Sequence, residues 1–135
     1  MLLPQTAEYA LRAVLEIAAY DRPVRVAEIA ATSGIPRNYL GKTLHQLARA
    51  GILASTRGRG GGFRLGMPAS DLTLDRIIAT FVAPESRRCL LGNGVCGENV
   101  CALHDRWAPI ASQLGDLFDT TSIADLLSVH SRIRG

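Results

Sequence analysis

Residues 24–65 constrain the fold most: two short helical patterns share a glycine turn and run straight into a glycine-rich hairpin. In the first pattern Val26, Ile29 and Ala30 fall on one side, and Ser33-Gly34-Ile35-Pro36 interrupts it. Gly34 supplies a left-handed turn, Ile35 can plug the core, and Pro36 can open the next helix. The second runs from about Arg37 to Ala50, with Leu40, Leu44 and Leu47 spaced by four and three before Gly51 closes it. Two helices joined in this way form a helix-turn-helix. Ile52 to Thr56 then reads as a strand and Phe63 to Leu65 as its return. The intervening Arg57-Gly58-Arg59-Gly60-Gly61-Gly62 is too rich in glycine for regular structure. A hairpin attached there is a wing.

The flanks read as helical. A first helix starts after Pro4, carries Tyr9, Ala10, Ala13, Val14, Ile17 and Ala18 at helical spacing, and ends at Asp21-Arg22-Pro23. Leu72 to Phe81 resumes the period, and residues 84–100 are irregular. A long amphipathic helix is expected from about Cys101 to Phe118, its apolar side holding Leu103, Trp107, Ile110, Ala111, Leu114 and Phe118. Pro109 would bend it or delay its start. Ser122 to Asp125 resembles a capping box for a short last helix. The expected fold is therefore mainly α with a small β-hairpin, a winged helix-turn-helix followed by a long C-terminal helix. Its parts are residues 1–82 for the winged domain, 83–104 for a cysteine-rich loop and 105–135 for the helix and tail.

Charge agrees with a polyanionic partner. Residues 1–70 hold nine basic and four acidic side chains, whereas residues 71–135 hold six and eight. Fourteen of the 15 basic residues are arginine, whose planar fork suits phosphates and guanine edges. Between the core leucines the second helix presents Arg37, Asn38, Lys42, His45, Gln46 and Arg49. Arg37, Asn38 and Lys42 lie toward the end that usually reaches base edges. Arg57, Arg59 and Arg64 surround the wing glycines, where a backbone without side chains can approach phosphates or a minor groove. A nucleotide-binding loop is a poor alternative, because the lysine and hydroxyl of a phosphate loop are missing.

Cys89, Cys96 and Cys101 are separated by six and four residues, and His104 follows after two more. An odd cysteine count argues against a disulfide framework. Soft thiolates with an imidazole suit an iron–sulfur cluster or zinc, and spacing alone does not separate the two; three unligated thiols are the plainer alternative. The chain carries no apolar run long enough to cross a bilayer and starts without the pattern of a signal peptide, so the cytoplasm is expected. No nucleophile–base–orienter set points to an enzyme.

With these pieces in hand the chain resembles the Rrf-two family of iron–sulfur transcription regulators. The resemblance rests on Tyr9-Ala10-Leu11-Arg12, Ile29-Ala30 through Gly34-Ile35, Tyr39-Leu40, Arg49 to Leu53 and the wing from Arg57 to Leu65. It implies a homodimer built by the long helix, one cluster per subunit, and a near-palindromic double-stranded DNA operator bound according to cluster state. Iron, redox change or nitric oxide would be the signal acting on the cluster. Tyr39 joins the DNA-binding residues by this likeness. The segment Cys101 to Trp107 looks most like the cluster-regulator branch of the family, which implies a 2Fe–2S rather than a 4Fe–4S centre on Cys89, Cys96, Cys101 and His104. Three departures stand out. The cysteine gaps are unequal here, where that branch has equal ones. Gly41 replaces a base-reading glutamate, which costs the helix about 1 kcal/mol against alanine. Glu8 sits where some relatives place an acidic fourth ligand reaching across the dimer, and is the alternative to His104. Zinc or thiol oxidation in place of the cluster is the alternative mechanism.

Overall fold

The computed structural model describes residues 3–82 and 102–134. Among these the order is α1 (Gln5–Ala18), α2 (Val26–Ser33), α3 (Arg37–Arg49), β1 (Leu53–Thr56), β2 (Gly62–Leu65), α4 (Leu74–Ala79), α5 (His104–Thr120) and α6 (Ile123–Arg134). The mainly helical fold with one antiparallel hairpin is as the sequence predicts.

α1 is the hub, touching α2, α3, α4, α6 and β2. Ala7, Ala10 and Ala13 are fully buried on it. Such small side chains let neighbouring helices approach closely, while Val14 and Ile17 fill the space beyond. The turn between α2 and α3 is built as its residues suggest. Gly34 adopts φ 72° and donates its N–H to Ala30 O at 3.0 Å, a left-handed cap that costs glycine little. Ile35 is buried, and Pro36 caps α3 from just outside it. Arg12 Nη2 of α1 donates to Ser33 O at 2.7 Å, pinning this turn to the hub.

α2 is fixed at its other end by charge. Arg22 donates to both carboxylate oxygens of Glu28, at 3.1 and 2.8 Å, and the Arg25 N–H donates to Oε1 at 3.3 Å. These donors, the Arg22 hydrogen bonds first, lower the Glu28 pKa to about 2. A depressed carboxylate stabilises the fold above its unfolded pKa and ceases to do so as pH falls through the folded value. Arg22 stays charged throughout. Wild type is therefore expected to lose a small increment of stability relative to Glu28→Gln between about pH 4.5 and about pH 2. The gap between their thermal midpoints across that range measures it.

The wing has a third partner that the sequence does not reveal. β1 and β2 pair from Leu53↔Leu65 to Thr56↔Gly62. Val24 then exchanges both backbone hydrogen bonds with Phe63, each 2.8 Å. One residue between Pro23 and α2 is too short to show a strand pattern. This close approach gives the wing glycines a different reason from the one their composition suggests. A Cβ on Gly62, at φ 143°, would lie 2.6 Å from Val24 O, and one on Gly61 would lie 2.4 Å from Thr56 O. Folding the hairpin, rather than exposing backbone, requires these two.

The C-terminal part returns to the same core. The Ile123 N–H donates to Leu72 O at 2.8 Å, the Leu74 N–H to Thr121 O at 3.0 Å, and Ile123 is fully buried. The Ser122–Asp125 capping box forms in both directions, at 2.9 and 3.1 Å, although α6, with 12 residues, is longer than the short helix expected. α5 begins at His104, three residues later than expected, with Ala102 and Leu103 in a turn and Pro109 inside the helix. Its apolar residues do not share one side. Trp107, Ala111, Leu114 and Phe118 are half-buried, whereas Ile110 and Leu117 stand about half exposed seven residues apart. No residue of α5 is buried within the chain.

Candidate nucleic-acid interface

α3 divides cleanly. Leu40, Thr43, Leu44 and Leu47 are buried, and Thr43 Oγ1 donates to Tyr39 O at 3.0 Å. Arg37, Asn38, Lys42, His45, Gln46 and Arg49 are exposed. Asn38, Lys42, His45 and Arg49, at steps of four, three and four, form one line along the open side. Gly41 is half-buried beside that line, and a Cβ there would meet nothing within 4 Å. The position where the family likeness leads one to expect a glutamate therefore opens on empty space.

Tyr39 stands apart from that line. It is 37% exposed, but its hydroxyl pairs with Thr6 Oγ1 and its ring meets Tyr9 edge to face, with centroids 5.4 Å apart. Gln5 Nε2 in turn donates to the Tyr9 hydroxyl at 2.8 Å. These contacts hold the start of α3 against the start of α1. Composition and spacing do not announce such a buttress, because its aromatic partners lie thirty residues apart in sequence.

Arg57, Arg59 and Arg64 are all exposed on the wing, Arg64 opposite Ala54 in the hairpin register. Beside Arg64 on the same strand, Phe63 receives His45 of α3 edge to face, with centroids 5.6 Å apart and planes at 77°. The electrostatics are one-sided. From residue 29 to residue 70 the chain holds six basic side chains and no acidic one, so the charged side chains that α3 and the wing themselves contribute are all cationic. That run, visible in the sequence, marks the candidate surface more sharply than the charge of whole halves. The ion pairs Arg12–Glu8 and Arg22–Glu28 lie on α1 and around the start of α2.

Of the expected metal ligands, Cys89, Cys96 and Cys101 lie outside the described residues. His104 is the first residue of α5 and half-buried. Glu8 is exposed on α1, its carboxylate 4.0 Å from Arg12. Among the described residues no group of three or more His, Cys, Asp or Glu side chains could hold a metal ion. No helix among them is long and apolar enough to cross a membrane.

Comparison with known proteins places this geometry in context. A family model described as Rrf2, iron-dependent transcriptional regulator, matches residues 3–129. A putative HTH-type transcriptional regulator of Aquifex aeolicus is 36% identical, over 98% of this chain and 95% of its own. The HTH-type transcriptional regulator IscR of Vibrio vulnificus is 32% identical, over 95% of this chain and 78% of its own. Among solved structures, CymR, described as the global cysteine regulator of B. subtilis, has a TM-score of 0.80 at 26% identity, covering 94% of this chain and 96% of its own. IscR of T. potens also has a TM-score of 0.80, at 21% identity, covering 98% and 90%.

Proposed function

The chain belongs to the Rrf2 family of transcriptional regulators, and from that premise we propose that its operator binding is switched by an iron–sulfur cluster. It acts on DNA and is not an enzyme. The observation that carries the DNA-binding part of the reading is the row of exposed cations on α3 and the wing, elements with no acidic side chain of their own. α3 enters the major groove with Arg37, Asn38 and Lys42 toward base edges, and Arg57, Arg59 and Arg64 meet phosphates or the adjacent minor groove. Tyr39 serves this surface through α1, by fixing how α3 is presented.

The donor set fits a cluster chemically, because thiolates and imidazole are both iron ligands. Cys89, Cys96, Cys101 and His104 would hold it, as 2Fe–2S, with Glu8 of a second subunit as the alternative to His104. Bound there, the cluster supplies a centre that responds to redox change, iron supply or nitric oxide. The chain's own contacts provide the route onward. His104 opens α5, α5 rests on α4, α4 rests on α1, and α1 holds α3 through Thr6 and Tyr9. These packed elements are the path by which a shift at the start of α5 would reach the DNA-reading helix, and the path is tested by comparing operator affinity with and without the cluster. Two copies assemble through α5: its open residues Ile110 and Leu117, two turns apart, support a homodimer with two half-sites.

Iron and acid-labile sulfide assays on anaerobically isolated protein test the cluster. Both elements are expected, with visible charge-transfer absorption. Alanine at Cys89, Cys96 or Cys101 should abolish all three signals, and His104→Ala should weaken or alter them. Protein without iron or sulfide contradicts the cluster. The chemistry of the same donor set allows one second reading, in which the thiols bind zinc or are oxidised. Zinc without sulfide would establish it.

A further inference from the structure

We propose that His45 contacts the DNA phosphate backbone at the seam between recognition helix and wing, where Phe63 holds its ring. The inference rests on the DNA-binding reading of α3 and the wing.

His45 lies on the open line of α3 with Lys42 three residues before it and Arg49 four after, so it shares their direction. Unlike those two long cations, its side chain is anchored. The imidazole packs edge to face on Phe63, and aromatic pairs in this geometry are favourable beyond simple burial. Phe63 is itself fixed: it is 6% exposed and its backbone is bonded on both sides to Val24. His45 is therefore an exposed side chain through which α3 touches the return strand of the wing.

Where that seam falls on DNA follows from duplex geometry. A helix in the major groove and a wing at the neighbouring minor groove straddle the sugar–phosphate strand that separates the two grooves. A side chain touching both protein elements faces that strand rather than a base edge. Imidazole has an N–H donor in either neutral tautomer and two when protonated, so it can donate to a phosphate oxygen in every state. Neither α3 nor the wing carries a carboxylate of its own to compete with a phosphate for that donor. Most protein–DNA hydrogen bonds are of this positioning kind, and they carry no sequence information.

Phe at position 45 separates the two roles of the ring, since it keeps the aromatic contact with Phe63 and removes the donor. His45→Phe and wild type are to be titrated on one operator duplex and on a panel with single base-pair changes. Circular dichroism and thermal melts would follow folding in parallel. His45→Phe is expected to fold like wild type and bind about tenfold more weakly, by the same factor on every duplex, as loss of a charge-assisted hydrogen bond requires. His45→Gln, which restores a donor without the ring, should recover part of that loss. Equal affinity of His45→Phe and wild type would overturn the proposal. So would a loss confined to one base pair, which would make His45 a base reader. Wild type that binds no duplex in a salt-sensitive manner would overturn the DNA-binding reading together with it.

Discussion

Replacing Arg57 and Arg59 together by alanine is expected to weaken operator binding roughly 100-fold, with no loss of folding. Both side chains are exposed at the wing tip and no acidic residue lies nearby in sequence, so truncation removes cations without leaving a buried charge unpaired. Each phosphate neutralised contributes about 0.9 to the slope of log affinity against log salt. The double variant should therefore show a slope shallower by roughly 2, and the affinity gap should narrow as salt rises. Base preference should be unchanged, because phosphate contacts do not read sequence. Titrations of both proteins at three or more salt concentrations decide it. An unaltered slope would remove the wing tip from the interface.

Gly62→Ala should strongly destabilise the wing, since it combines a backbone clash with a strained φ. The added Cβ would sit 2.6 Å from Val24 O, against backbone rather than a flexible side chain, at a φ of 143° that only glycine adopts readily. A cost of about 3 kcal/mol follows, and a thermal midpoint lower by roughly 10 °C. Because Val24 and Phe63 would be pushed apart, the seat of His45 and the arginine-bearing hairpin would both shift, so DNA binding should fall as well. Gly60→Ala is the control. Its φ of 70° also disfavours alanine, but a Cβ there meets nothing within 4 Å, so about 1 kcal/mol is expected. Chemical denaturation of the two variants ranks them. Equal losses would mean that the Val24 bridge does not set the wing.

The helix-turn-helix was legible because its signals are local. Gly34, Pro36 and the Leu40–Leu44–Leu47 spacing each act within one turn of their own position, and the structure places each as expected. The capping box at Ser122 was legible for the same reason. Long-range contacts were not. The Val24–Phe63 bridge, the Thr6–Tyr39–Tyr9 buttress and the His45–Phe63 contact join residues whose spacing carries no periodic signal. α5 shows a third case. Helical periodicity marked its apolar residues but could not divide the half-buried ones from those left open, because spacing along one helix does not say which side the rest of the chain covers. The three cysteines lie outside the described residues, so of the expected ligands on that stretch only His104 has a described place, in the first turn of α5.

The account turns on whether cluster state changes DNA binding. The direct measurement takes a duplex selected from a random pool by the anaerobically isolated protein and titrates it with that protein and with the same preparation after chelation of its iron. Coupling through α5, α4 and α1 predicts affinities that differ by about tenfold or more, with the difference abolished in Cys101→Ala. Indistinguishable affinities for the two forms, each folded and each bound to the same duplex, would contradict it.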